Sequence, residues 1–200
     1  NPFNSFEPLV REFWFTNEVH NLGKGPKPYF LSPPIRLPRT PTSKLQFSMD
    51  NKTWKKCHRD GGTVRFLLIQ RLPGITLQRY RFKDNPNGIE IEDAIPDLKA
   101  LIRMTRMLHV EGIVHGDVHM DNVIVNGDHL TFIDYGRAFF AQPDQDNEPV
   151  YRYGKYTHEL STPWQIRGLP WGKRDDVFKV LDIFARMVQP DEYLDHIFEL

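Results

Sequence analysis

The strongest constraint on this chain is the run from Ile91 to Phe140, where one long periodic segment leads directly into a polar cluster and two short β-rich segments. Between Ile91 and Glu111, Ala94, Ile95, Leu98, Leu101, Ile102, Thr105 and Leu108 recur at steps of three and four. That spacing predicts an amphipathic helix facing a core, closed by Gly112. The next stretch, IVHGDVHMDNVIV, sets two acids, two histidines and an asparagine between apolar flanks. The runs NVIVNG and HLTFIDYG then predict a hairpin turning at Asn126-Gly127.

Asp117 is followed by Asn122 five residues later and by Asp134 seventeen residues later. If the two β-rich runs pair, Asn122 and Asp134 return to the same end of the hairpin, beside Asp117. A hard cation such as Mg²⁺ takes oxygen ligands, usually one or two protein groups with phosphate oxygens completing the shell, and Asn122 with Asp134 form such a pair. Asp117 is then placed to orient an attacking hydroxyl or accept its proton.

The rest of the chain frames this cluster. Phe6 to Leu22 reads as a helix, with Leu9, Phe13, Val19 and Leu22 near one face and Gly23 and Gly25 beyond it. Within Pro26 to Gly62, KLQFSMDNKTWKKC is a candidate hairpin turning at Asp50 and Asn51. VRFLLIQ suits a buried strand, ended by Pro73-Gly74, and a linker of some helical character follows through RYRFKDNPNG. Residues 137–162 show no period, and a loop that long is usually functional or mobile. DDVFKVLDIFARM predicts a last helix entered through acids. The formal net charge of +0 gives no global pull toward nucleic acid or an anionic membrane. Cys57 is the one cysteine, which excludes an internal disulfide framework and fits a reducing, cytoplasmic setting. No apolar run approaches the ~18 residues of a membrane span. The chain begins with Asn, and the expectation is a piece of something longer.

H-G-D-x-x-x-x-N followed by a strand and D-Y-G resembles the catalytic and metal-binding loops of the protein-kinase superfamily. Other segments resemble further parts of that fold in the right order. Glu18 in FTNEVHNLG resembles the helix-C glutamate. FLLIQRLPG resembles the adenine-holding strand and hinge, with Ile69 at the gatekeeper place and Gln70 to Leu72 as the hinge. STPWQ resembles the end of an activation segment, and Asp176 in KRDDVFKVL matches the buried acid that caps the catalytic loop, a form similar to the casein-kinase-one and vaccinia-related kinases.

The resemblance implies an α+β, two-lobed, protein-kinase-like fold without the first amino-lobe strands and the last carboxy-lobe helices. Residues 1–72 would form a partial amino lobe and residues 73–200 a helical carboxy lobe. It implies ATP and Mg²⁺ as cofactors, with Asp117, His119 and Asn122 catalytic, Asn122 and Asp134 on metal, and Glu18, Ile69, Gln70, Leu72 and Asp134 toward the nucleotide. The expected acceptor is a protein Ser or Thr hydroxyl, with no nucleic-acid partner. Two departures bear on this. Gly116 stands where the pattern has Arg, which predicts little switching by an activation-loop phosphate. His119 stands where protein kinases carry Lys, and HGDVH also resembles the aminoglycoside phosphotransferases. A small-molecule phosphotransferase is therefore one alternative; a non-catalytic scaffold is the other, because the Gly-rich loop and third-strand lysine of the resembling pattern find no match ahead of Glu18. His115 is expected to be structural, packing against the DYG turn.

Overall fold

The computed structural model describes residues 8–36, 63–82, 88–141, 162–166 and 171–188. The predicted hairpin around Asp50-Asn51 and Cys57 lie outside these residues. Helix α1 (Pro8–Asn21) is followed by strands β1 (Pro28–Leu31), β2 (Ile35–Arg36), β3 (Thr63–Val64) and β4 (Leu67–Ile69). After the Pro73-Gly74 turn come β5 (Ile75–Thr76), the short α2 (Leu77–Phe82) and the long α3 (Ile91–Val110). Strand β6 (Ile113–Val114), a single 3₁₀ turn over Met120–Asn122, β7 (Val123–Asn126), β8 (His129–Phe132) and β9 (Phe139–Phe140) carry the polar cluster. Helices α4 (Pro163–Ile166) and α5 (Lys173–Val188) complete the described chain.

All strand pairs are antiparallel: β1 with β4, β2 with β3, β6 with β9, and a three-stranded sheet ordered β5-β7-β8. The arrangement is mixed α+β. The β7–β8 hairpin forms as predicted, but Asn126 pairs with His129, so the turn's central residues are Gly127 and Asp128. Gly127 has φ +58°, the positive value a two-residue hairpin turn needs at its first central position.

The core lies where α3 packs along α5 and against the β7–β8 hairpin. Ala94, Leu101 and Leu108 of α3 meet Val180, Ile183 and Met187 of α5, with Val123, Val125 and Phe132 from the hairpin and Leu77 from α2. Each fully buried aliphatic chain of this kind contributes roughly 1.5–3 kcal/mol of transfer free energy. One expected core position is corrected. Ile102 is 48% exposed, because the buried stripe runs Ala94, Leu101, Thr105, Leu108 and turns Ile102 outward. No helix among the described residues is long and apolar enough to cross a membrane.

In α1 the predicted face is also corrected. Phe15 and Val19 are buried with Arg11 and Thr16, while Leu9 and Phe13 are only half-buried. Trp14 and Phe15 draw the helix onto Phe140 of β9, with ring centroids at 5.2 and 5.3 Å. Aromatic contacts of this kind, edge-on for Trp14 and tilted for Phe15, add to plain area burial and outweigh the aliphatic residues in setting which side faces inward.

The exposure contrast on α3 is directly testable. Leu101→Ala should lower the unfolding free energy by about 2–5 kcal/mol and its neighbour Ile102→Ala by less than about 0.5 kcal/mol, measured by urea denaturation. Equal losses would contradict the orientation of α3.

Candidate active site

The site is built from two loops stitched to the hairpin and anchored from below by α5. At the start of α5, the buried Asp176 accepts backbone hydrogen bonds from His115 N (2.8 Å, Oδ2) and Gly116 N (2.9 Å, Oδ1), and His109 Nε2 lies 3.0 Å from Oδ2. This matches the capping role the sequence assigns to Asp176. The preceding acid, Asp175, accepts from Thr162 Oγ1 and from Gly172 N at 2.8 Å. Burial raises the Asp175 pKa, and those two hydrogen bonds oppose the rise.

His115 is fully buried between Phe132 and Tyr135, with ring centroids at 5.1 and 4.9 Å. Its Nε2 lies 3.1 Å from Ile133 O, and Asp117 N donates to its Nδ1 at 3.3 Å. A carbonyl on one side and an N–H on the other fix the neutral tautomer with the proton on Nε2. Burial lowers its pKa, outweighing the pull of Asp176 and Asp117. The imidazole thus ties the backbone at Asp117 to the segment leading to Asp134.

Asn122 Nδ2 donates to Asp117 O at 3.0 Å, and Ile133 N donates to Asn122 O at 2.9 Å. The first bond orients the amide and leaves its Oδ1 available as an acceptor. The second extends the β7–β8 ladder by one step, so Asp134 emerges beside Asn122. Asp134 has φ +61°, a left-handed backbone rare for a side chain other than glycine, and Gly136 N reaches its Oδ1 at 3.3 Å. Asp117 has Arg137 across from it, Nε to Oδ2 at 3.6 Å. A second cation, the buried Lys179, pairs with Asp182 at 3.3 Å. Burial lowers the Lys179 pKa, against the opposing charges of Asp182 and, more weakly, Asp117.

Gly116 acquires a backbone explanation. Its φ is +75°, and a Cβ there would lie 2.6 Å from Arg137 O. Any side chain at this position, the arginine of the resembling pattern included, would separate β6 from β9.

Beside these loops lies a cavity of about 700 Å³ lined by Glu12, Ile69, Gln70, Leu72, Ile124, Ile133 and Asp134, among others. Ile69, Gln70 and Leu72 stand where the hinge was expected, and Gln70 N and Oε1 bond Lys27 O and N at 2.7 and 3.0 Å. Glu18 does not line the cavity; Glu12 does. Six residues apart, the two acids lie roughly 120° apart around the helix, and Glu12 shares the Phe15–Val19 face that turns inward. The signal available in the sequence was the i, i+3, i+7 spacing of Glu12, Phe15 and Val19. His119 precedes the 3₁₀ turn, half-buried, and does not line the cavity.

A Cβ placed on Gly136 would lie 3.2 Å from Asp134 Oδ1 and 3.8 Å from Glu12 Oε2, so the two carboxylates converge. The Glu12 pKa is pushed up to about 7, first by burial and second by the charge of Asp134. Two oxygen donors at the hairpin end, with a carboxylate facing them, suit a hard cation that takes most of its shell from phosphate and water. No cluster of three or more His, Cys, Asp or Glu residues able to hold a metal occurs among the described residues.

The profile of the phosphotransferase enzyme family (APH) matches residues 70–153. An uncharacterized protein from the hydrogenase 1 5′ region of Clostridium pasteurianum is 24% identical over 131 residues, 66% of this chain and 21% of that protein. A putative serine/threonine-protein kinase of Invertebrate iridescent virus 3 is 41% identical over 46 residues, 23% of this chain and 13% of that protein. A probable serine/threonine-protein kinase BUD32 homolog of Archaeoglobus fulgidus is 42% identical over 48 residues, 24% of this chain and 23% of that protein. The chain thus spans less than a quarter of the length of these relatives. Motif and match together are consistent with the protein-kinase-like superfamily, and they support a phosphotransferase.

The Glu12 carboxyl supplies a pH test. Its folded pKa exceeds the ordinary value of 4.5, so the folded state binds more protons than the unfolded state across that interval. Its contribution to stability is complete below pH 4.5 and is lost as pH rises through about 7. In metal-free buffer, raising the pH from about 5 to about 8 should destabilise the wild type more than Glu12→Gln, by about 1–2 kcal/mol after discounting for solvent screening. Identical pH dependence in the two proteins would remove Glu12 from the site.

Proposed function

We propose that this chain is the catalytic part of an ATP- and Mg²⁺-dependent phosphotransferase that moves the γ-phosphate to a Ser or Thr hydroxyl of a protein. The observation that carries this reading is the joining of Asp117, Asn122 and Asp134 through backbone and amide hydrogen bonds at one end of the β7–β8 hairpin, beside a cavity of nucleotide size. In it, Ile69 and the Gln70–Leu72 backbone hold adenine, and Ile124 and Ile133 line the same cavity. Asn122 Oδ1 and Asp134 would hold Mg²⁺, which when bound neutralises charge on the phosphates. Asp117 orients the acceptor hydroxyl and accepts its proton, while His119 stands near the acceptor. Glu12, rather than Glu18, is the α1 carboxylate that serves the nucleotide side. Helix α1 with β1 to β4 corresponds to the partial amino lobe, and the rest to the carboxy lobe.

The same fold acting on a small molecule is the second reading, supported by the family profile over 70–153 and by HGDVH. The names of the viral and archaeal relatives favour a protein acceptor.

Radiolabel transfer from ATP, with the full-length protein and both generic protein substrates and small alcohols as acceptors, tests the reading. Asp117→Ala should lower transfer about 10²–10⁴-fold. Asp134→Ala should abolish both transfer and the rise in melting temperature produced by ATP with Mg²⁺. Absence of transfer and of any nucleotide-induced stabilisation in the wild type would make the chain a scaffold.

A further inference from the structure

We infer that Arg137 is a positioning residue that holds the Asp117 carboxylate and so couples the Asp134 turn to the acceptor side of the site; the assignment rests on the phosphotransfer reading above. Two separate constraints fix the Arg137 backbone. The pairs Ile113 with Phe140 and Val114 with Phe139 dock β9 on β6, and Ala138 N donates to Tyr135 O at 3.0 Å, so Arg137 sits where the turn becomes strand. On the facing chain, Gly116 leaves no room for a Cβ, which would stand 2.6 Å from Arg137 O. The two loops therefore meet one residue before Asp117 and three residues after Asp134.

From that point the Arg137 side chain runs back to Asp117, with Nε 3.6 Å from Oδ2. The separation exceeds a charge-assisted hydrogen bond, and the solvent-screened attraction that remains orients the carboxylate rather than adding much stability. The carboxylate is held in place without a short bond that would compete with an acceptor hydroxyl. Asp117 is the more covered partner, 18% exposed against 37% for Arg137. Lys179 is engaged by Asp182 and does not substitute for it. A displacement of the Asp134 turn would carry Arg137, and through it Asp117, out of line.

The test uses the full-length protein with Arg137→Met, Arg137→Lys, Asp117→Asn and the Met/Asn double variant, assayed for radiolabel transfer from ATP to the best acceptor found. Arg137→Met should lower kcat roughly ten- to a hundredfold, the scale of a small misplacement of a reacting group, while KM for ATP stays within about twofold. Arg137→Lys should recover part of the loss. In the Asp117→Asn background, Arg137→Met should have no further effect, because the arginine acts through that carboxylate. A loss of the same size whether or not Asp117 is intact, or full activity in Arg137→Met, overturns the positioning role. A folded wild type that transfers no phosphate to any acceptor overturns the functional reading instead.

Discussion

The Asp176 carboxylate is the interaction on which the site depends. One side chain from α5 accepts the N–H groups of His115 and Gly116 and lies against His109 of α3, and it is nearly inaccessible to solvent. A carboxylate is tolerated there because its lone pairs are occupied by donors; a buried charge without them would cost several kcal/mol. The loop backbone benefits equally, since two N–H groups in a tight turn would otherwise be buried unpaired. Helix packing in the core thus becomes loop position at the surface: moving α5 relative to α3 would move Asp117.

From this anchor the order passes upward through short links. His115 receives its backbone position from Asp176 and hands it on, one ring nitrogen to Ile133 O and the other to Asp117 N. Asn122 ties Asp117 O to the hairpin, and the hairpin ladder delivers Asp134. Tyr135 closes the set beneath, its ring against His115 and its hydroxyl donating to Phe132 O at 3.3 Å. Burial raises the Tyr135 pKa, so the phenol stays a neutral donor. Each link is an ordinary hydrogen bond, and the precision comes from their being shared among few residues.

This explains which parts were readable in the sequence. Asp117, Asn122 and Asp134 could be brought together from spacing alone because a two-residue hairpin leaves little freedom of register once Val123, Val125 and Phe132 must face the core. The α3 face was mostly legible for the same reason, with Ile102 misjudged because an apolar residue can stand outside without cost. Helix α1 was misread because FWF and its neighbours offer apolar residues nearly all round. The inward face is chosen by contact with Phe140, more than a hundred residues away, and choosing wrongly pointed to Glu18 where Glu12 is the α1 acid that lines the cavity. Gly116 illustrates a different limit. The sequence shows a missing arginine, but only the approach of Arg137 O shows that no side chain fits.

The charges divide the site into two unlike halves. On one side Asp134 converges with Glu12, carboxylate toward carboxylate, and Glu12 resists ionisation, first because it is buried and second because of the Asp134 charge. On the other, Asp117 is matched by Arg137 and lies within the influence of Lys179. A polar turn that merely joined two buried elements would balance its charges throughout, because an unmatched pair of acids costs stability and returns nothing. The imbalance is confined to the half beside the cavity, where a cation and phosphates would relieve it, and the balance to the half where the proposed function has a neutral hydroxyl approach. Asn122, neutral and fixed by its bond to Asp117 O, stands at the seam. That asymmetry, generated by Glu12 on one element and Arg137 on another, is what favours the proposed phosphotransfer site over a well-packed loop.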